Sequence, residues 1–363
     1  MTLSNFWSFS LFLPLTYLIF LVSLTFYLIP IFYNYNTKNT FFIVSSFEIN
    51  ALFYTPCVLI LSLICLWSSP SISLWFGHLV YTSFQYKITI LILLTFVIFF
   101  YLYSNVSYVS SREICDYVIT NFNFLYWVVL LFYSNSLFTV IFIIEILSTL
   151  IFLLLLTSVF SSTFFYKNVD FSSHSFFESS TPFTFIQSIL FFFWISLLAS
   201  LNLFLFLIFL YDKMFSFDWY LMEYIFSYFI SVSSYKDIYV LGLTWFFILF
   251  SIFLKCGIAP FYIWKPTFFK GMSFSSLSFY ISFFYYFLFL FLIHFLSSYC
   301  HEFFYFFSLI SILLILLGLF SLFFILCETF FIKTFLAVSS ILNSLLVLLC
   351  ISSPHIIDLL FFL

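Results

Sequence analysis

The sequence predicts an all-α fold, a polytopic transmembrane helix bundle of about ten spans. Three observations carry this: 65% of the 363 residues are apolar, only 6% are charged, and the apolar residues fall in long runs between short polar stretches. About a quarter of a soluble domain's residues are charged, so this chain cannot build a water-facing surface. Mean hydropathy is +1.25. Phe supplies 66 residues and Gly only 5. That bias, with Leu, Ser, Tyr and Ile, is what a T-rich coding strand produces and points to an organelle genome.

A helix that crosses the hydrocarbon core needs about 20 mostly apolar residues, with every backbone group satisfied internally. Runs of that kind lie at 11–33, 51–68, 88–104, 118–133, 137–158, 184–210, 239–260, 274–297, 304–326 and 335–352. Apolarity without a period marks helices surrounded by lipid or by other helices. Neither an internal repeat nor a Gly- or Pro-rich linker divides the chain, so 1–363 reads as one integral membrane domain. The amino-terminal run lacks a preceding basic region and a small-residue cleavage site, and reads as a retained span.

Two connections are longer than the rest. Residues 159–183 hold Lys167, Asp170, His174 and Glu178; residues 211–238 hold Asp212, Lys213, Asp218, Glu223, Lys236 and Asp237. Both read as interhelical loops of interfacial character, with Tyr and Trp suited to headgroup depth. Sidedness follows the basic residues. Odd-numbered loops carry Lys38, Arg112, Lys167, Lys265, Lys270 and Lys333, and even-numbered loops carry Lys87, Lys213 and Lys236.

Other classes of function are disfavoured. A net charge of −3 and a single arginine, Arg112, do not make a basic face for nucleic acid. The seven cysteines show no C-x-x-C and read as small hydrophobes in apolar runs. His78, His174, His294, His301 and His355 do not form the paired intramembrane ligands a haem would need.

The residues that point to chemistry are the charges inside spans. Glu145 sits mid-run in FTVIFIIEILSTLIFLLLL. A carboxylate there costs several kcal/mol unless paired or protonated, so it marks a functional site by default. The bland alternative is a structural hydrogen bond between helices, with Ser148 one turn along on the same face. Lys255 lies deep in the seventh run, ahead of Gly257 and Pro260, which break the helix where an ammonium needs partners. Freed carbonyls at such a break can solvate a cation, and a buried lysine exchanges protons readily.

The stretch K-C-G-I-A-P-F-Y-I-W-K-P-x-x-x-x-G at 255–271 resembles the signature of the antiporter-like membrane-arm subunits of respiratory complex I (NADH:ubiquinone oxidoreductase). It is most similar to the subunit-2 branch of NADH dehydrogenase, whose pattern is Lys-x-Gly-x-x-Pro-Phe-His-x-Trp. Ser134-Asn135-Ser136-Leu137 followed by Glu145-Ile146-Leu147-Ser148 resembles that family's entry to its fifth span. Lys333 to Ile341 resembles the stretch opening its tenth.

The resemblance implies a proton-translocating subunit of the mitochondrial inner membrane, mitochondrially encoded, with Glu145 and Lys255 as the proton-transfer pair. It implies no cofactor in this chain, the flavin mononucleotide, iron–sulfur clusters and ubiquinone belonging to other subunits. Partners would be other membrane-arm subunits and lipid.

Departures accompany it. Tyr262 replaces the family's histidine, and the eighth span has Tyr285 and Tyr286 where a lysine is expected. Tyr285, Tyr286 and His294 are the candidate relay groups there, His294 reading better as interfacial. The family continues for several spans beyond the tenth, so a separately encoded chain is expected to supply them. The alternative reading is a structural membrane-arm subunit with an incomplete proton path. A stand-alone cation/proton antiporter is a weaker one.

Overall fold

A computed structural model of the chain describes residues 72–74, 77–104, 114–165, 182–232, 235–258, 260–272, 274–299, 304–326 and 332–352. These residues are mostly helical, and they divide into two compact units, Met1–Lys167 and Asn168–Leu363. The division falls within the polar stretch at 159–183. Expected spans 11–33 and 51–68 lie outside the described residues.

In the first unit a small hairpin, β1 (Ile72–Leu74) and β2 (Leu79–Tyr81), pairs antiparallel with Ile72 opposite Tyr81. This departs from the all-helical expectation. It leads into α1 (Ser83–Ser104), and α2 (Ile114–Tyr133) and α3 (Leu137–Phe165) follow. A capping box opens α1. The Thr82 N–H donates to Gln85 Oε1 at 2.7 Å, and the Gln85 N–H donates to Thr82 Oγ1 at 3.5 Å. The Gln85 amide then donates to the Phe132 carbonyl at 2.9 Å, satisfying an orphan acceptor at the end of α2.

The second unit holds α4 (Pro182–Met214), α5 (Trp219–Val232), α6 (Tyr235–Cys256) and the two-turn α7 (Trp264–Gly271). Next comes one helical run made of α8 (Phe274–Phe279), a π-helical segment (Tyr280–Tyr285) and α9 (Tyr286–Tyr299). Finally come α10 (Phe304–Leu326) and α11 (Ile332–Ser352). Four stretches are long and apolar enough to cross a membrane: Leu137–Leu154, Ile186–Met214, Tyr239–Cys256 and Leu277–His294. Shorter apolar helical stretches, such as Ile312–Phe323 and Ile332–Leu346, accompany them. Large side chains including Leu190, Trp194, Leu201 and Ile208 stand exposed along α4, as a lipid-facing helix permits.

The segment 211–238, expected as a loop, is largely helical. Of its charges only Glu223 lies on α5, half-buried, while Trp219, Met222 and Phe226 recur at helical spacing and are all buried. Phe226 meets Trp245 of α6 edge-on, with ring centroids 6.4 Å apart. The Met222 N–H donates to the Asp218 carbonyl at 2.9 Å, and Asp is a residue favoured at helix starts. At 14 residues α5 is too short to cross the hydrocarbon core. Between α4 and α5, Phe215 takes a left-handed φ of 55° while its N–H donates to the Tyr211 carbonyl at 2.8 Å.

Candidate functional site

The sequence signature at 255–271 folds as a broken helix. α6 stops at Cys256, and Gly257 turns the chain with φ +64°. The Gly257 N–H donates to the Leu254 carbonyl at 3.3 Å, and the Ile258 N–H donates to the Phe253 carbonyl at 3.0 Å. This two-bond closure of a helix end needs a left-handed residue at its corner, which glycine takes without a Cβ clash. Space demands glycine as well. A Cβ on residue 257 would lie 3.1 Å from Trp264 Cζ2 and 3.2 Å from Lys265 Cδ. Pro260 lies in the turn beyond, and the Phe261 N–H donates to the Ile258 carbonyl at 2.8 Å.

Lys255 therefore occupies the last turn of α6, where the sequence placed it deep within a run. Its side chain leaves the helix at the negative end of the helix dipole. Its Nζ is shielded from solvent while the residue as a whole is half-buried. Just ahead of it, the Leu254 carbonyl also accepts the Trp264 indole N–H at 3.1 Å, which ties α7 back to the end of α6.

α7 brings in a residue that the sequence reading assigned to a loop. Lys265 is fully buried, and its Nζ stands 3.8 Å from the centroid of the Tyr285 ring. Trp264, Lys265, Phe268 and Phe269 are buried together, so the lysine shares the apolar face of a short helix. That spacing was the available signal. Pro266 is tolerated because it stands in the first turn, where its missing N–H is not needed. Phe192 of α4 stacks on Phe268 with centroids 5.1 Å apart and meets Trp264 at 5.6 Å.

Lys333 is likewise not an interfacial anchor. It is buried, and its Nζ donates to the Met272 carbonyl at 2.9 Å, fixing the start of α11 to the end of α7. Removing Lys265 and Lys333 from the loops leaves four basic residues against three, too even to assign sidedness.

Of the two expected relay tyrosines, Tyr285 points inward and Tyr286 outward, 41% exposed. The Tyr285 hydroxyl donates to the Ser340 carbonyl of α11 at 2.8 Å. It closes the π-helical turn, in which Tyr280, Phe283, Phe284 and Tyr285 are all buried. Such turns occur frequently at functional sites. His294 lies nine residues beyond Tyr285. That is roughly 13 Å farther along the axis, near the end of the span.

Glu145 lies in the first unit on α3, eight residues after Leu137 and nine before Leu154, the ends of its apolar stretch. It is half-buried, with Oε1 shielded from solvent. The Ser148 hydroxyl donates to the backbone carbonyl of Glu145 at 2.7 Å. Ser148 is thus engaged within α3. The stretch Ser134–Ser136 ahead of α3 is anchored to the hairpin. The Asn135 amide donates to the Gly77 carbonyl at 3.0 Å, the Asn135 N–H donates to the His78 carbonyl at 2.8 Å, and His78 Nδ1 lies 3.4 Å from Ser136 Oγ.

Fold and site together define a mostly helical protein with, among the described residues, four stretches long and apolar enough to cross a membrane, one of which ends in a break between two lysines. The sequence matches no protein-family model and no curated protein.

Proposed function

We propose that this chain is a proton-translocating membrane-arm subunit of respiratory complex I, of the subunit-2 type, in the mitochondrial inner membrane. The observation that supports this most is the coincidence of the 255–271 signature with a helix that ends one residue after Lys255. A lysine at an unwound point can be held charged by the helix end and nearby carbonyls. A small rearrangement that withdraws them leaves desolvation to drive off its proton. A change of about 3 pKa units would need about 4 kcal/mol, within reach of redox energy delivered from another subunit. Glu145, mid-span on α3, is the carboxylate assigned to the same path. The reading assigns the redox centres, flavin mononucleotide, iron–sulfur clusters and ubiquinone, to other subunits.

Lys255→Ala tests this in membranes holding the assembled complex, with NADH-driven proton uptake and quinone reduction as readouts. Loss of proton-coupled quinone reduction is expected; full coupled activity would sink the proposal.

A second reading, a packing subunit of the same complex with an incomplete path, is favoured by one observation. The eighth-span helix carries Tyr285 and Tyr286 in place of a lysine, and Tyr285 is engaged in a bond to backbone. Normal activity in both Tyr285→Phe and Lys255→Ala, with assembly lost on disrupting α7, would select it.

A further inference from the structure

Lys265 is a costly charge that the proposed function does not use. It is fully buried, and its Nζ meets no hydrogen-bond acceptor among the described residues. Stripping an ammonium of water costs several kcal/mol. Among the described residues the structure returns the face of the Tyr285 ring, at 3.8 Å. A residue kept only for packing would be apolar here. Its neighbours on α7 are Trp264, Phe268 and Phe269.

The groups around it suit exchange of a proton. From the end of α6 comes the buried thiol of Cys256, next in the chain to Lys255. From the π-helical segment come Tyr280 and Tyr285, and from α11 comes Ser340, whose carbonyl accepts the Tyr285 hydroxyl at 2.8 Å. Lys333 is occupied with the Met272 carbonyl. Lys265 also lies at the helix break itself, its Cδ 3.2 Å from where a Cβ on residue 257 would stand, two residues beyond Lys255. A like charge nearby disfavours an ammonium, so the protonation of two lysines at one break is coupled.

We infer that Lys265 is a second proton-exchanging group of this chain, its Nζ gaining one proton as Lys255 loses one, so that a single positive charge crosses the helix break. This rests on the proton-translocating reading above.

The test compares Lys265→Met, Lys265→Arg and Lys255→Ala in native membranes, at matched assembly on native gels, by NADH-driven proton uptake. Arginine keeps the charge and the ring contact but does not release its proton. Proton uptake is expected to fall about 10- to 100-fold in both Lys265 variants, the scale of losing a positioned proton-transfer group. Rescue by arginine would mean a structural cation–ring contact and overturn the inference, as would full uptake in both variants. Loss in Lys255→Ala with normal uptake in Lys265→Met sinks this inference alone. Normal uptake in Lys255→Ala sinks the functional reading and this one with it. If neither Lys265 variant assembles, Tyr285→Leu is measured, which keeps the lysine and removes the ring. A displaced pH profile of proton uptake supports the inference, and an unchanged one overturns it.

Discussion

Replacing Gly257 with alanine tests whether the break after Lys255 is set by that glycine rather than by Pro260. With φ at +64°, an L-residue pays about 1–2 kcal/mol for the left-handed conformation. The added methyl would stand 3.1 Å and 3.3 Å from two ring atoms of Trp264 and 3.2 Å from Lys265 Cδ. The indole cannot retreat freely, because its N–H is bonded to the Leu254 carbonyl and Phe192 packs against its edge. Crowding of this kind costs about 1–3 kcal/mol. The expected total is about 2–5 kcal/mol. Expressed in the unfolding rate, that shortens the half-life of the folded chain at fixed temperature roughly 30- to 5000-fold. The assay is the time course of loss of the folded subunit in mild detergent, followed by protease resistance. Pro260→Ala serves as comparison and should change the half-life by less than about threefold. Equal half-lives for Gly257→Ala and the unchanged chain, or a larger loss for Pro260→Ala, would refute the reasoning.

Three other substitutions bear on the packing. Lys333→Met removes the donor to the buried Met272 carbonyl and should cost about 1.5–3 kcal/mol, seen as faster proteolysis of the second unit. Gln85→Ala opens the α1 cap and frees the Phe132 carbonyl, costing about 1–2 kcal/mol, read as earlier cleavage near the hairpin in a timed protease digest. Phe215→Gly should stabilise by about 1 kcal/mol, because Phe215 is 77% exposed and holds a left-handed φ of 55°; a shorter half-life in the detergent assay would contradict this.

Several elements could be read from the sequence because one strong signal governed them. The apolar runs at 137–158 and 184–210 became α3 and α4, since uninterrupted hydrophobicity leaves a helix as the way to satisfy the backbone. Gly257 announced the end of α6, and Glu145 was visible as the lone charge in its run. The harder cases are residues whose charge misled. Lys265 and Lys333 looked like loop markers, yet each has an aliphatic stem that buries readily and a head group met by a ring or a carbonyl. At 211–238 six scattered charges obscured Trp219, Met222 and Phe226, whose spacing already described one helical face. The hairpin at 72–81 was too short for its pattern to stand out between spans. Which of Tyr285 and Tyr286 faces inward depends on the π-helical turn, and periodicity alone does not reveal that extra rotation.

The helix α7 is pinned at both ends. Trp264 fastens its first turn to the carbonyl before Lys255, and Lys333 grips the carbonyl just past its last turn. Eight residues of helix make a strut about 12 Å long, stiff over two turns. A displacement of the first turn of α11 is therefore delivered along this strut, with little give, to the backbone beside Lys255. The aromatic rings packed on its flank keep it from buckling sideways. Mechanically, the broken helix is a push-rod, and the two hydrogen bonds are its bearings.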